Sequence, residues 1–325
     1  MTDHASVPMN EIQRAYQAFL KAERILIISH KNPDADSIGA NVALREALES
    51  LGKKVDSACF DPVPENCNFL RSSDEFIRQI RPENYDLIVT VDCGSHLLMK
   101  FHEIHPILLN REQCFLINID HHATNDFFGN INIVMPETPS TCFMLYLMFT
   151  MYGWKMTSTM ATAMLHGLYF DTGSFQHSNT DSATLRIAAR LTHLGADLEH
   201  CVKKHYKSSS ISQLRLWGKA LERAQKNSKN MVVSYLNSHD FFTENAERDD
   251  SSGLINYLNH VPDALCCLLL TEDRHGNIKA SMRTQSEKID LPELTRLFGG
   301  GGHKKAAGFT VPGRLKETRQ IEVRV

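Results

Sequence analysis

The stretch Arg24-Ile-Leu-Ile-Ile-Ser-His30-Lys-Asn-Pro-Asp34-Ala-Asp36-Ser-Ile-Gly39 spaces one imidazole and two carboxylates four and two residues apart. Those donors can converge on a hard divalent cation, and so much oxygen suits Mn2+ or Mg2+ where thiolates would select zinc. Taken alone, the stretch also reads as a loop whose aspartates cap the next helix. The same design recurs, however. An apolar run from Asp86 ends at Asp92-Cys-Gly-Ser, and another from Cys114 ends at Asp120-His121-His122. Asp171-Thr-Gly-Ser174 follows a stretch, 161–170, of helical character. A single strand-terminal aspartate is ordinarily a turn former. Four segments ending alike point to one shared site. Asp34, Asp36, Asp92 and Asp171 ionised together would repel strongly, and two divalent cations would cancel that charge.

A second chemical feature lies near the other end, Phe298-Gly299-Gly300-Gly301-Gly302-His303-Lys304-Lys305-Ala306-Ala307-Gly308. Successive glycines let backbone N–H groups crowd an anion, and the residues after them look helical, which would add a positive helix end. It is not a P-loop, because His303 precedes Lys304 where glycine is required and Lys305 replaces Ser/Thr. With His303, Lys304 and Arg283 nearby, a phosphate- or nucleotide-binding loop is the expectation.

These residues need elements to hold them. The run Ile25–Ile28 reads as a strand, Asn32-Pro33 breaks it, and 40–51 is periodic as a helix, so His30, Asp34 and Asp36 fall at a strand's carboxyl end, where open α/β sheets bind ligands. A helix over 10–23 precedes that strand; 54–60 reads as a strand, 69–80 as a short helix and 183–195 as another. The apolar runs are continuous, as in a parallel sheet covered on both faces. After 230, strands recur at 231–236, 264–270 and 278–283, with His275-Gly276-Asn277 as a hairpin turn; the last alternates, suggesting an antiparallel sheet. The fold class is thus α/β, with a mostly parallel, helix-flanked sheet followed by a smaller α/β domain. The boundaries are 1–195 for the catalytic domain, 196–228 for a helical linker and 229–325 for a substrate-binding domain.

At 325 residues the chain exceeds one typical core. A formal charge of −3 (35 basic against 38 acidic residues) excludes a protein that coats duplex nucleic acid; any nucleic-acid ligand is short and held locally. Eight cysteines include no CxxC pair, and the N-terminus lacks the pattern of a signal peptide. The most apolar stretch, 142–154, is too short to span a bilayer. A reduced, cytoplasmic protein without membrane contact is expected, and exposed strand edges in the second domain leave room for a homodimer.

The set His30-x-Asn-Pro-Asp34-Ala-Asp36-Ser, Val91-Asp92, Asp120-His121-His122 and Asp171-Thr-Gly, followed by Gly299-Gly-Gly-Gly-His303-Lys-Lys-Ala-Ala-Gly308, resembles a DHH-family phosphoesterase with its associated C-terminal domain. The length resembles the compact nanoRNase branch, oligoribonucleases that also dephosphorylate 3′-phosphoadenosine 5′-phosphate (pAp). The resemblance implies two domains across a cleft holding two divalent cations, Mn2+ before Mg2+ or Co2+. His30, Asp34 and Asp92 would bind one; Asp36, Asp92, His121 and Asp171 the other, with Asp92 bridging. His122 would face the scissile phosphate, and Asp120 would orient a neighbouring ligand. Arg283, His303, Lys304 and the N–H groups of Gly300, Gly301 and Gly302 would hold the substrate. The implied substrates are single-stranded RNA or DNA oligonucleotides of two to five units, linear dinucleotides and pAp. A degenerate, non-catalytic nucleotide sensor would have lost metal ligands, and every implied ligand is present.

Overall fold

The computed structural model describes residues 8–206 and 210–316, and the chain divides into two compact units, Met1–Ser208 and Ser209–Val325.

In the first unit α1 (Met9–Lys21) leads into β1 (Arg24–Ser29), α2 (Ala35–Ser50), β2 (Lys54–Cys59), β3 (Leu87–Val91), α3 (His96–Met99), β4 (Leu116–Asp120) and β5 (Ile131–Val134). Four longer helices follow: α4 (Thr141–Tyr152), α5 (Ser158–Asp171), α6 (Ser182–His193) and α7 (Leu198–Tyr206). The strands form one parallel sheet in the order β2-β1-β3-β4-β5. Alternate residues of β1 feed opposite cores: Ile25 and Ile27 join the side of α2, α4 and α5, and Leu26 and Ile28 join Met99, Phe101 and Leu108. That two-sided burial is why the strand reads as an unbroken apolar run.

Register decides where the chemistry goes. Ser29 pairs with Val91 and Val91 with Ile119, so the next residues, His30, Asp92 and Asp120, stand side by side at the carboxyl edge. Chain order reverses between β1 and β3, where sheets of this type open a crevice.

Helix α2 starts at Ala35, earlier than its periodicity suggests, because the Asp34 carboxylate accepts from the N–H groups of Asp36 and Ser37 and caps it. The helix expected over 69–80 is absent. Only single 3-10 turns form, at Glu65–Cys67 and Ser73–Glu75, because Ser72 adopts φ +55° and Ile77 pairs with the outer edge of β2. Strand β5 was not anticipated from the sequence.

The second unit contains α8 (Ile211–Glu222), β6 (Gln225–Lys226), β7 (Met231–Leu236), α9 (Ser238–Thr243), α10 (Leu254–Leu258), β8 (Cys266–Glu272) and β9 (Asn277–Arg283). It closes with α11 (Leu291–Arg296), β10 (Gly301–His303) and β11 (Ala306–Pro312). The sheet order is β10-β11-β9-β8-β7-β6. It is mixed rather than wholly antiparallel: the connection through α9 and α10 returns β8 parallel to β7, and the other pairs are antiparallel. The β8–β9 hairpin turns at Gly276, φ +76°. Both edge strands, β6 and β10, are short and offer little unpaired edge. The segment expected as a connector holds two helices. Leu216 and Ala220 of α8 sit in the second unit's core beside Val232, Phe241 and Leu258.

The residues after the glycines are not helical. They form β11, paired along β9 from Ala306 opposite Arg283 to Pro312 opposite Asn277. Glycine is needed there for close strand approach: a Cβ on Gly308 would lie 2.7 Å from the Ala280 carbonyl oxygen. Ala307 and Phe309 face a small core with Met282 and Leu291, so alanine and aromatic burial on a sheet outweighs helix propensity. Among the described residues, no helix is long and apolar enough to cross a membrane.

Candidate metal centre

His30, Asp34, Asp36, Asp92, His121 and Asp171 meet at the carboxyl edge of the first sheet. Ligand atoms of His30, Asp34 and Asp92 lie within 4.8 Å of one another, as do those of Asp36, His121 and Asp171. The groups adjoin: His121 Nε2 is 3.5 Å from Asp92 Oδ1 and 3.2 Å from Asp171 Oδ2, and His30 Nε2 is 3.3 Å from Asp92 Oδ2. Asp92 thus faces His30 with one oxygen and His121 with the other.

Different elements hold each donor. His30 leaves β1 with Nδ1 2.7 Å from the Lys31 carbonyl oxygen, and His121 turns Nδ1 to the Thr138 carbonyl at 3.3 Å. Carbonyls only accept, so each Nδ1 carries a proton, and Nε2 is the nitrogen turned toward the carboxylates, the one a cation would take in place of its proton. Asp92 has φ +55°, an uncommon conformation for a residue with a side chain; its N–H donates to Ile119 O, and Thr141 Oγ1 donates to Oδ1 at 3.2 Å. Asp36 is fully buried in the first turn of α2 and accepts from the N–H groups of Thr141 (2.6 Å) and Cys142 (3.0 Å) at the start of α4. A carboxylate has about four acceptor sites, so those bonds leave others for a cation. Asp171 ends α5.

Electrostatics shows what the cluster lacks. Burial pushes the Asp36 carboxyl up to about 6, with Asp92 adding to the rise. Asp171 is likewise held far above the usual carboxylate range by burial and by Asp36. Burial lowers the His30 pKa, but Asp34 and Asp92 outweigh it and bring it to about 11. Carboxyls and an imidazole all held above their ordinary ranges mark a pocket short of positive charge. The oxygen-rich donor set and the inward Nε2 atoms fit divalent cations of the Mn2+ or Mg2+ type.

His122 also adjoins this cluster, its ligand atom within 4.8 Å of those of Asp92 and His121, but its nearest carboxylate is another one. Its Nδ1 is 2.7 Å from Asp120 Oδ1 and 3.8 Å from Asp92 Oδ1, so it is bound to Asp120. Burial lowers its pKa, and Asp120 more than restores it. Asp120 has no exposed surface, and its Oδ2 accepts from Asn125 Nδ2 at 2.6 Å. Asn125 and Thr141 carry no periodic or spacing signal. The only hint was Pro139-Ser140-Thr141, a helix-start pattern that α4 uses, with Ser140 as its cap.

In the second unit Arg283 is half-buried on β9, one Nη1 donating to the Met282 carbonyl at 2.9 Å, and burial lowers its pKa. Among the described residues it has no carboxylate partner. Lys304 is exposed and 3.4 Å from Glu287. The Gly300 N–H is spent on the Thr295 carbonyl; Gly301 and Gly302 belong to β10, with Gly301 opposite Gly308 and Gly302 opposite Ala307. His303 closes β10, and its side chain lies outside the described residues.

The DHH family, N-terminal domain, matches residues 24–168, and the DHHA1 domain matches 228–322. The bifunctional oligoribonuclease and PAP phosphatase NrnA of Thermus thermophilus is 30% identical over 290 residues, covering 89% of this chain and 84% of the relative. A crystal structure of an exopolyphosphatase-related protein from Bacteroides fragilis superposes with TM-score 0.86 at 25% identity, covering 98% of this chain and 94% of that one. RecJ from Thermus thermophilus, in complex with Mn2+, shares the fold at TM-score 0.56 and 16% identity, over 95% of this chain and 53% of RecJ. Both domain matches, in the order expected from the ligand-bearing strand ends and the glycine segment, place the chain in the DHH family of phosphoesterases, in the branch that carries a DHHA1 domain.

Proposed function

We propose that the chain hydrolyses short oligonucleotides, two to five units long, to nucleoside monophosphates with two divalent cations, Mn2+ in the first instance, and that it also removes the 3′-phosphate of pAp. The observation that carries this reading is the shared carboxylate: Asp92 addresses His30 with one oxygen and His121 with the other, so two cation sites would adjoin through it. His30 and Asp34 would complete one site, and Asp36, His121 and Asp171 the other. Cations held there would supply an activated water and compensate phosphate charge.

The chain's own groups do the rest. His122, with Nδ1 held by Asp120, offers its opposite edge to the phosphate and can pass a proton to the departing oxygen. Arg283, half-buried and with no carboxylate partner among the described residues, suits a substrate phosphate, which a guanidinium can grip with two parallel bonds. His303 and Lys304 would add contacts beside it, with the N–H groups of Gly301 and Gly302 as candidate donors. The NrnA relative is named for both oligoribonuclease and PAP phosphatase activities, which supports joining them here. Linear dinucleotides are the second reading, since the same centre serves them. We place the enzyme in the cytoplasm and leave a homodimer as a proposal for hydrodynamic measurement.

The test is a Mn2+-dependent time course on a 5′-labelled pentaribonucleotide with pAp in parallel. Stepwise shortening to mononucleotides is expected, with pAp turned over more slowly. Asp92→Ala should abolish both, because it faces both sites. Rapid pAp turnover beside an intact pentamer would overturn the oligonucleotide reading, and an active Asp92→Ala would overturn the bridging role.

A further inference from the structure

We propose that Asn125 is a positioning residue for phosphoester hydrolysis, acting on His122 through Asp120. The proposal rests on the reading of His122 as the group that faces the scissile phosphate.

Asn125 lies in the loop after β4 and is buried. Its Oδ1 accepts the Phe127 N–H at 2.8 Å, and its Nδ2 is 2.6 Å from Asp120 Oδ2 and 3.4 Å from the Cys93 carbonyl oxygen. The amide has one workable orientation. A backbone N–H only donates, so it requires the carbonyl end; a carboxylate and a carbonyl only accept, so they require the NH2 end. Asp120 is then bound at both oxygens, Oδ2 by Asn125 and Oδ1 by His122 Nδ1 at 2.7 Å. The direction of each bond follows from the one before, and the last sets the imidazole tautomer and aims its Nε2 edge.

The backbone of Gly94 lines the base of the ring. Gly94 lies against His122 so closely that a Cβ there would be 3.1 Å from the His122 Cβ. The His121 ring packs against the His122 ring at 4.6 Å between centroids, and the Asp120 bond holds the Nδ1 edge of His122. Asp120 has no solvent contact to replace a lost donor. Without Asn125 its Oδ2 would be a buried charged acceptor lacking a partner, and the carboxylate would turn to find one. The 3.4 Å contact also ties this loop to Cys93, the neighbour of Asp92.

The experiment compares Asn125→Ala, Asn125→Asp, Asp120→Ala, His122→Ala and the double variant Asp120→Ala/Asn125→Ala on the pentaribonucleotide with Mn2+. Asn125→Asp keeps the acceptor for Phe127 and hence the loop, but turns a carboxylate oxygen toward Asp120. Both Asn125 variants are expected to lose kcat by roughly 10- to 100-fold, with KM and the Mn2+ concentration for half-activity within about twofold. The double variant should be no slower than Asp120→Ala, since groups acting in series do not add. The proposal is overturned if Asn125→Ala keeps its kcat while His122→Ala is inactive. It is equally overturned if the two losses multiply in the double variant, or if KM and metal requirement rise with the fall in kcat. A fully active His122→Ala would instead remove the reading beneath it, a separate and recognisable result.

Discussion

Gly167 shows how little room the site leaves. It lies on α5 where that helix crosses α2, and a Cβ there would sit 2.7 Å from Asp36 Oδ1 and 2.5 Å from Cys142 Sγ. Gly167→Ala is expected to cost about 1–3 kcal/mol of stability through overpacking. By displacing the Asp36 carboxylate it should also weaken Mn2+ binding by roughly 10- to 100-fold. Thermal melts and a calorimetric Mn2+ titration measure the two effects; a destabilised variant that binds Mn2+ like the parent would show that Asp36 is not a ligand. The acids and histidines were legible because a strand that stops at an aspartate needs only a period-free apolar run to be seen. Asn125 and Thr141 were not. Their roles come from three-dimensional neighbours that no spacing records, Asp120 five residues away across a turn and Asp92 just past the end of β3.

At the scale of elements, the same carboxylates that face the centre also organise helix ends. Asp34 caps α2, Asp36 takes the first N–H groups of α4, and Asp171 is the last residue of α5. The reading of Asp34 as a helix cap and its reading as a cation ligand are therefore compatible. Elsewhere, Asp240 of α9 joins Arg223 through two N–H···O bonds and caps its own helix through the Asn237 N–H. Burial raises the Asp240 pKa, but Arg223 and that N–H lower it below the usual carboxylate range. A carboxylate depressed in the folded state stabilises above its unfolded pKa and ceases to do so as pH falls through the folded value. Asp240→Asn should thus cost about 2–3 kcal/mol near neutrality and progressively less below pH ~4. Urea unfolding across pH measures this; a pH-independent difference would contradict the assignment. Helix α2 and the parallel strands were readable from pattern. Strand β11 was not, because Lys-Lys-Ala-Ala carries helix propensity that pairing with β9 overrides.

Across the whole molecule, the candidate cation ligands and the candidate substrate contacts fall to separately cored units. The cation-ligand candidates all belong to the first, and Arg283, Lys304 and the glycine strand belong to the second. Arg283→Ala is accordingly expected to raise the pentaribonucleotide KM by about tenfold, the worth of ~1.4 kcal/mol. Turnover of the small generic diester bis-p-nitrophenyl phosphate should stay within twofold. Equal losses on both substrates would put Arg283 in the chemistry. The sharing of helix ends with the cation cluster has a further meaning for descent. A lineage that abandoned hydrolysis but kept this scaffold would be left with like charges at the starts of α2 and α4 and the end of α5. Silencing the enzyme by removing Asp34 or Asp36 also unpins a helix end, so at those two positions loss of activity and loss of architecture are coupled mutational events. Retiring such a protein to a purely binding role would require several substitutions together, and that barrier acts on its evolution whether or not the reaction itself is under selection.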